Sequence, residues 1–299
     1  MVPPRRAFCF LTLLAAAVPS PALGQVGTPP APGQRVVLIT GSTSGLGRSV
    51  ARALAGAGDH VIVHGRNEER GSALVEEING TTPGSARFYR ADFASLDQVR
   101  ALASAILRDY PRLDVLVNNA GVAFASDRQR RLSEEGHELT FQVNYLAHFL
   151  LTELLLPRLQ ASAPARIVNV SSVAAAPLDF DNLMLEDGYE GWRAYGQSKL
   201  AQVMHTLDLA RELEGTGVRV NALHPATFMD TNLLRLNDLQ PRTSVEEGRD
   251  HVLLLIDGDV GSGDFYVDGR PVRARSAQAY DIEARARLRA VALRLLGQG

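Results

Sequence analysis

The stretch "RVVLITGSTSGLG", residues 35–47, runs from a block of aliphatic and β-branched residues into a glycine-rich loop and then into an amphipathic segment. "RVVLIT" reads as a buried strand, because a short apolar run bounded by a glycine turn is too brief for a helix. Gly41, Gly45 and Gly47 follow with GxxxGxG spacing. Glycine permits positive φ and lets backbone N–H groups come close to a phosphate, and the N-terminus of the next helix adds a favourable dipole. Strand, loop and helix in this order point to a nucleotide gripped through the backbone. No lysine lies near the loop, so it is not a Walker-type GK[ST] site.

Outward from this stretch, short β-branched runs alternate with longer amphipathic segments, which is the pattern of βαβ units around a parallel sheet. Seven strands are expected, at 35–40, 60–65, 86–91, 113–118, 166–171, 218–223 and 264–267. Helices are expected near 46–57, 67–79, 95–109, 133–159, 193–214, 244–256 and 276–296. The fold class is therefore α/β, a doubly wound Rossmann fold with helices on both faces. No repeat or second boundary appears, so residues 35–299 read as one domain closed by a C-terminal helix. Ligands of such sheets sit beyond the carboxyl ends of the strands, and chemistry is to be sought there.

Composition narrows the partners. A net charge of −2 and scattered arginines give no basic patch for nucleic acid. The single cysteine, Cys9, excludes an intrachain disulfide, and the seven histidines show no HExxH-type ligand pair, so no metal site is expected. Residues 1–24 have the parts of a secretory signal: Arg5 and Arg6, the apolar run "AFCFLTLLAAAV", then prolines and a small-residue site ending at Gly24. "RRAF" also partly matches a twin-arginine signal. Export to the periplasm or membrane association is expected, with a cytoplasmic location as the alternative. Residues 25–34, "QVGTPPAPGQ", read as a Pro/Gly-rich linker.

The second strand ends "HGRN", where a Rossmann domain selects its cofactor. No acidic residue stands there to bind a ribose 2′-OH, whereas Arg66 offers a planar cation for a 2′-phosphate. NADP is the expected cofactor and NAD the alternative. Further on, "YGQSK" (195–199) contains the only lysine among 31 basic residues. Tyr195 and Lys199 are four apart on an expected helix and share a face. Ser172 directly follows the fifth strand in "VNVSSVA", and Asn144 is a polar residue inside the apolar segment "FQVNYLAHFLLT".

These four residues, with "TGSTSGLG" and "NNAG" (118–121), resemble the short-chain dehydrogenase/reductase family over residues 35–270, and "NYLAHFLLT" is similar to its retinol-dehydrogenase-like, broad-carbonyl branch. The resemblance implies a catalytic set of Asn144, Ser172, Tyr195 and Lys199. Tyr195 would be the general acid/base, its pKa lowered by the Lys199 ammonium, which would also bind the nicotinamide ribose. Ser172 would position the substrate oxygen, with Ser171 as the competing serine. Asn144 would hold a water linking Lys199 to solvent. The implied cofactor contacts are Gly41, Ser44, Gly45, Leu46 and Gly47, then Arg66, Asp92 at the adenine, and Asn118, Ala120 and Gly121 behind the adenosine ribose.

One departure from the family pattern follows the sixth strand. "HPATFMDTNL" carries Ala226 in place of glycine and has threonines at 227 and 231, so Thr227 and the Phe228 backbone are candidate nicotinamide contacts beside Thr231. Residues 232–243 would form the substrate lid. Leu233, Leu234, Leu236 and Leu239 there fit either an apolar substrate or helix packing. The resemblance implies a carbonyl/alcohol pair as the small-molecule substrate, and, because the family's helices matching the long leucine-rich segments 133–159 and 193–214 pair between subunits, a homodimer or homotetramer. A non-catalytic redox sensor would not need Ser172, Tyr195 and Lys199 together. A sugar-nucleotide epimerase would use different glycine spacing and a larger C-terminal region, and a hydrolase would need a G-x-S-x-G elbow.

Overall fold

Strands β2 (Val36–Ile39), β3 (His60–Gly65) and β5 (Val115–Asn118) are buried at every position, as parallel strands covered on both faces must be. They are the centre of a computed structural model that describes residues 25–298. The expected signal at 1–24 lies outside the described residues. Around them stand β1 (Gln25–Gly27), β4 (Ser85–Arg90), β6 (Ala165–Val170), β7 (Val218–His224), β8 (Phe265–Val267) and β9 (Arg270–Val272), in the sheet order β1-β4-β3-β2-β5-β6-β7-β8-β9. The seven strands from β4 to β8 are parallel, and the two outermost, β1 and β9, are antiparallel.

Alternate residues of each strand serve opposite faces. Leu38 and Leu116 point into a core shared with helices Leu96–Asp109, Leu139–Ala161 and Gly191–Glu212. Val37, Ile39, Val115 and Val117 point into the other, against helices Gly45–Gly56, Glu68–Thr81 and Val245–Asp257. The chain winds outward from β2 through β3 and β4, then returns to β5 on the other side of β2. The switch point therefore falls between β2 and β5, and the glycine loop and "NNAG" meet there.

Four differences from the sequence reading have local causes. The segment read as a linker contributes β1, which pairs Gln25 with Tyr89 along the outer edge of β4. A hairpin strand, β9, was not expected, although Asp268-Gly269 carries the turn signature, with φ of 49° and 71° at the two central residues. The helix expected from 133 starts at Leu139. Residues before it make a turn with Gly136 at φ 81°, and the Glu138 carboxylate caps the helix by accepting from Thr140 N and Phe141 N. Residues Gln142–Leu146 of this helix form a π-turn, which the apolar pattern does not disclose.

The helix Leu139–Ala161 is long and apolar enough to cross a bilayer, but 83% of its apolar window is buried inside the fold. The C-terminal helix, Ile282–Leu295, lies across the outer side of the helices expected to pair between subunits. Its Leu288 and Ala292 join their core, and Arg289 reaches Glu153 and Glu212. Self-association through that face, as the family resemblance implies, would have to accommodate this helix.

Candidate active site

At the end of β2 the chain turns through Gly41 and Gly45, with φ of 66° and 51°. A Cβ on Gly41 would stand 2.8 Å from Ala120 Cα, and one on Gly47 would stand 2.6 Å from both the Gly41 carbonyl and Asn119 Nδ2. Gly41 and Gly47 are thus required by close packing of loop on loop. Leu46 fills the core beneath with its side chain. The helix they open has no side-chain cap from Ser44 and no acidic residue in its first turn, so its N-terminus suits an anion.

Residues that the sequence reading passed over hold this turn. The Thr40 hydroxyl accepts from Asn119 N and Ala120 N, both at 2.9 Å, and Asn119 Nδ2 donates to Thr40 O at 2.8 Å. His64 Nδ1 accepts from Gly41 N at 3.1 Å. His148 joins the turn to its own helix, Leu139–Ala161: its Nδ1 must donate to the Asn144 carbonyl at 2.9 Å, which leaves Nε2 to accept from Thr40 at 3.0 Å. The repeated asparagine of "NNAG" was the available signal for Asn119. A buried histidine four residues after Asn144 was the signal for His148.

Arg66 stands at the end of β3 with 67% of its side chain exposed, 3.7 Å from Asp92. An ion pair this wet is worth at most about 1 kcal/mol, so Arg66 can exchange its partner for a phosphate. Asp92 turns one oxygen to Ala94 N. The Asn118 side chain is fully buried and donates to Thr152 Oγ1 at 3.0 Å and Asn169 Oδ1 at 2.8 Å, so it braces the end of β5 and only the residue's backbone is left to border a ligand. Gly121 borders the catalytic groups, since a Cβ there would lie 3.3 Å from Asn144 Oδ1 and 3.8 Å from Lys199 Nζ.

Helix Gly191–Glu212 presents Tyr195 and Lys199 on one face, with Nζ 5.5 Å from the centre of the Tyr195 ring. The serine pair divides its labour. Ser171 donates to the Lys199 carbonyl at 2.8 Å and so fastens β6 to the helix, whereas Ser172 hydrogen-bonds Tyr195 and accepts from Ala174 N. Burial raises the Tyr195 hydroxyl above its usual value, and the Ser172 hydrogen bond pulls it back. Lys199 Nζ donates to Val170 O at 2.8 Å and Gln202 Oε1 at 2.9 Å, and burial pushes its pKa down to about 7. Asn144 spends its side chain on Val122, accepting from N at 2.8 Å and donating to O at 3.0 Å, and on Ser198 Oγ at 3.0 Å.

Beyond β7, Ala226 is not in the left-handed region, whereas Phe228 is, at φ 54°. Thr227 Oγ1 pairs with His224 Nε2 at 2.9 Å, while a Cβ on Gly45 would meet the Thr231 methyl at 3.2 Å. Of the two threonines, Thr231 is therefore the one packed on the glycine turn. Asn237 then ties the lid segment to the loop after β5, accepting from Ala125 N at 2.7 Å and donating to Ala123 O at 3.0 Å. Leu234 is buried beneath the segment and Leu236 is 75% exposed, so only some of its leucines pack.

A glycine turn at the switch point of a doubly wound sheet, facing a serine, a tyrosine and a lysine across the same strand ends, defines a nicotinamide-dependent oxidoreductase site. The residues fit a dinucleotide: a helix N-terminus free of acidic groups, a turn of glycines and an exposed arginine at the second strand. Residues 35–240 match the family model described as short chain dehydrogenase, and the chain belongs to that family. It is 37% identical to human (Homo sapiens) retinol dehydrogenase 13 over 284 residues, 88% of this chain and 85% of that protein. It is 44% identical to mouse (Mus musculus) retinol dehydrogenase 14 over 67% of this chain and 63% of that protein. Among solved structures, the Pseudomonas aeruginosa RhlG/NADP active-site complex is similar with a TM-score of 0.65 at 28% identity, covering 79% of this chain and 95% of that one. A Burkholderia cenocepacia short chain dehydrogenase in complex with NADP matches with a TM-score of 0.64 at 26% identity, over 79% and 97%. The chain is thus an NAD(P)-dependent oxidoreductase of the retinol-dehydrogenase-like kind.

Proposed function

We propose that the protein interconverts an apolar alcohol and its carbonyl with NADP(H), using Tyr195 as general acid/base. The observation that carries this reading is the convergence of Ser172, Tyr195 and Lys199 on one spot beside Gly121. Bound NADPH supplies the hydride to the carbonyl carbon. Tyr195 gives its hydroxyl proton to the carbonyl oxygen, and Ser172 hydrogen-bonds that oxygen and fixes its position. Lys199, with one N–H left after Val170 and Gln202, favours the phenolate that remains and would hold the nicotinamide ribose. Asn144 borders the same small volume as Nζ, in keeping with a relay water there. Ser44, Gly45 and the N–H groups of Leu46 and Gly47 would receive the diphosphate, Arg66 the 2′-phosphate, and Asp92, Ala120 and Gly121 the adenosine. At the nicotinamide end we favour Thr231, which packs on the glycine turn, with the Phe228 backbone N–H beside it, over the Thr227 hydroxyl, which His224 already holds.

An apolar substrate is supported by exposed Trp192, whose ring stands edge-on to Tyr195 at 6.0 Å, and by Leu236 on the lid. The names of the retinol dehydrogenase relatives point the same way. The test is a panel of aldehydes, ketones and secondary alcohols followed by nicotinamide absorbance with both cofactors. Turnover of apolar members with NADPH is expected, and no turnover with either cofactor would overturn the reading.

A further inference from the structure

Lys199 is 4% exposed and is surrounded by acceptors without a counter-charge. Its two hydrogen-bond partners, Val170 O and Gln202 Oε1, are both neutral, and no carboxylate among the described residues pairs with it. The titratable groups near it are Tyr195 on its own helix, His148 on the helix Leu139–Ala161 and His224 at the end of β7. Burial holds both histidines uncharged, pushing them down to about 3 and about 4, so neither adds repulsion at neutral pH.

Gln202 lies one helical turn beyond Lys199 and is 3% exposed. The orientation of its amide is fixed by chemistry: an ammonium only donates, so the oxygen must face it. The amide nitrogen is then left inside the protein with no hydrogen-bond partner. A buried donor without an acceptor is unfavourable, and an aliphatic residue of the same size would avoid it. What that residue would lack is the oxygen on Lys199. The other acceptor is a main-chain carbonyl, which no substitution removes.

We propose that Gln202 is a positioning residue for Lys199, its carboxamide oxygen holding the ammonium charged and directed at the space between Tyr195 and Gly121. The catalytic consequence rests on the oxidoreductase reading above; the effect on Lys199 does not. Loss of the oxygen would favour the neutral amine and weaken the support for a Tyr195 phenolate. A carboxylate in its place would do the opposite.

Because Lys199 is the only lysine, protein grown with ε-13C-lysine gives one side-chain lysine signal, and its titration needs no turnover. The wild-type signal should titrate near 7. Gln202→Leu should titrate about 1 pH unit lower, Gln202→Glu higher than wild type, and Gln202→Asn, one methylene too short, between Leu and wild type. The limb of the kcat–pH profile that follows Lys199 should move in the same directions, with little change in KM for NADPH. Should Gln202→Leu fail to fold, the Asn and Glu variants still bracket wild type. Midpoints that coincide with wild type, or that move the same way in every variant, overturn the proposal. Lysine shifts as predicted in a protein that turns over no carbonyl would leave it standing and sink the oxidoreductase reading instead.

Discussion

Lys199 is a lysine in a chain that otherwise uses arginine, and its surroundings explain why a guanidinium would not serve. A compact ammonium fits between one carbonyl and one amide oxygen and keeps a third donor for the site, and it can lose its proton when buried. That burial has a stability signature with a definite sign. The unfolded chain keeps this lysine protonated up to 10.5, whereas the folded protein releases the proton near 7. Between those values the unfolded state binds more protons, so stability rises with pH; below 7 the full penalty applies. Lys199→Met should therefore be more stable than wild type at pH 6, by on the order of a few kcal/mol, and the advantage should shrink toward pH 10. Denaturant unfolding at several pH values measures it, and a pH-independent difference would show that the lysine carries no such penalty. At this scale the sequence was partly legible. Tyr195 and Lys199 follow from helical spacing, but which serine faces the tyrosine depends on how β6 meets the helix, and "SS" alone does not contain that. Asn119 and His148 looked like ordinary polar residues because their partner Thr40 is far along the chain, and Gln202, though only three residues from Lys199, matched no motif.

Among the elements, the strand-turn-helix units were readable because buried parallel strands are unbroken aliphatic runs and their ends are marked by glycines. The π-turn at Gln142–Leu146 and the early part of the segment 133–138 were not, since both are decided by hydrogen bonds and not by apolar period. The direction of the Asn118 side chain was hidden for a related reason: a side chain at a strand end faces either a ligand or the interior, and Thr152 and Asn169 draw this one inward. The end of β3 makes a sharper prediction. Arg66 is exposed and only loosely tied to Asp92, so its energy is available to a ligand. Arg66→Asp should remove a charge-assisted contact worth about 1.5–3 kcal/mol and lower the kcat/KM ratio of NADPH to NADH by roughly 10- to 100-fold. Steady-state kinetics with each cofactor gives this ratio directly; an unchanged value would mean that Arg66 is only a surface residue.

On the scale of the whole molecule, the sheet order and its two cores were within reach of the sequence, whereas the edges were not. β1 is three residues of a Pro/Gly-rich stretch that pairs only because β4 offers a free edge. The C-terminal helix covers the face between helices Leu139–Ala161 and Gly191–Glu212, with Arg285 paired to Asp208 and Arg289 to Glu153. Light scattering at micromolar concentration should thus give a monomer mass, and a dimer that persists would mean that another face associates or the helix is displaced. From the composition of residues 1–24 we propose an export or membrane signal. Cleavage after Gly24 would leave β1 intact, so N-terminal sequencing of the cellular product should begin at Gln25, and a product retaining Met1 in the cytosol would refute it. Proton transfer by one hydroxyl in an otherwise intact oxidoreductase is tested most directly at Tyr195. Tyr195→Phe deletes that hydroxyl and little else, so NADPH affinity by fluorescence titration should stay within about threefold of wild type while kcat falls by roughly 10²- to 10⁴-fold. A Tyr195→Phe protein that binds NADPH and still reduces carbonyls at the wild-type rate would contradict the account.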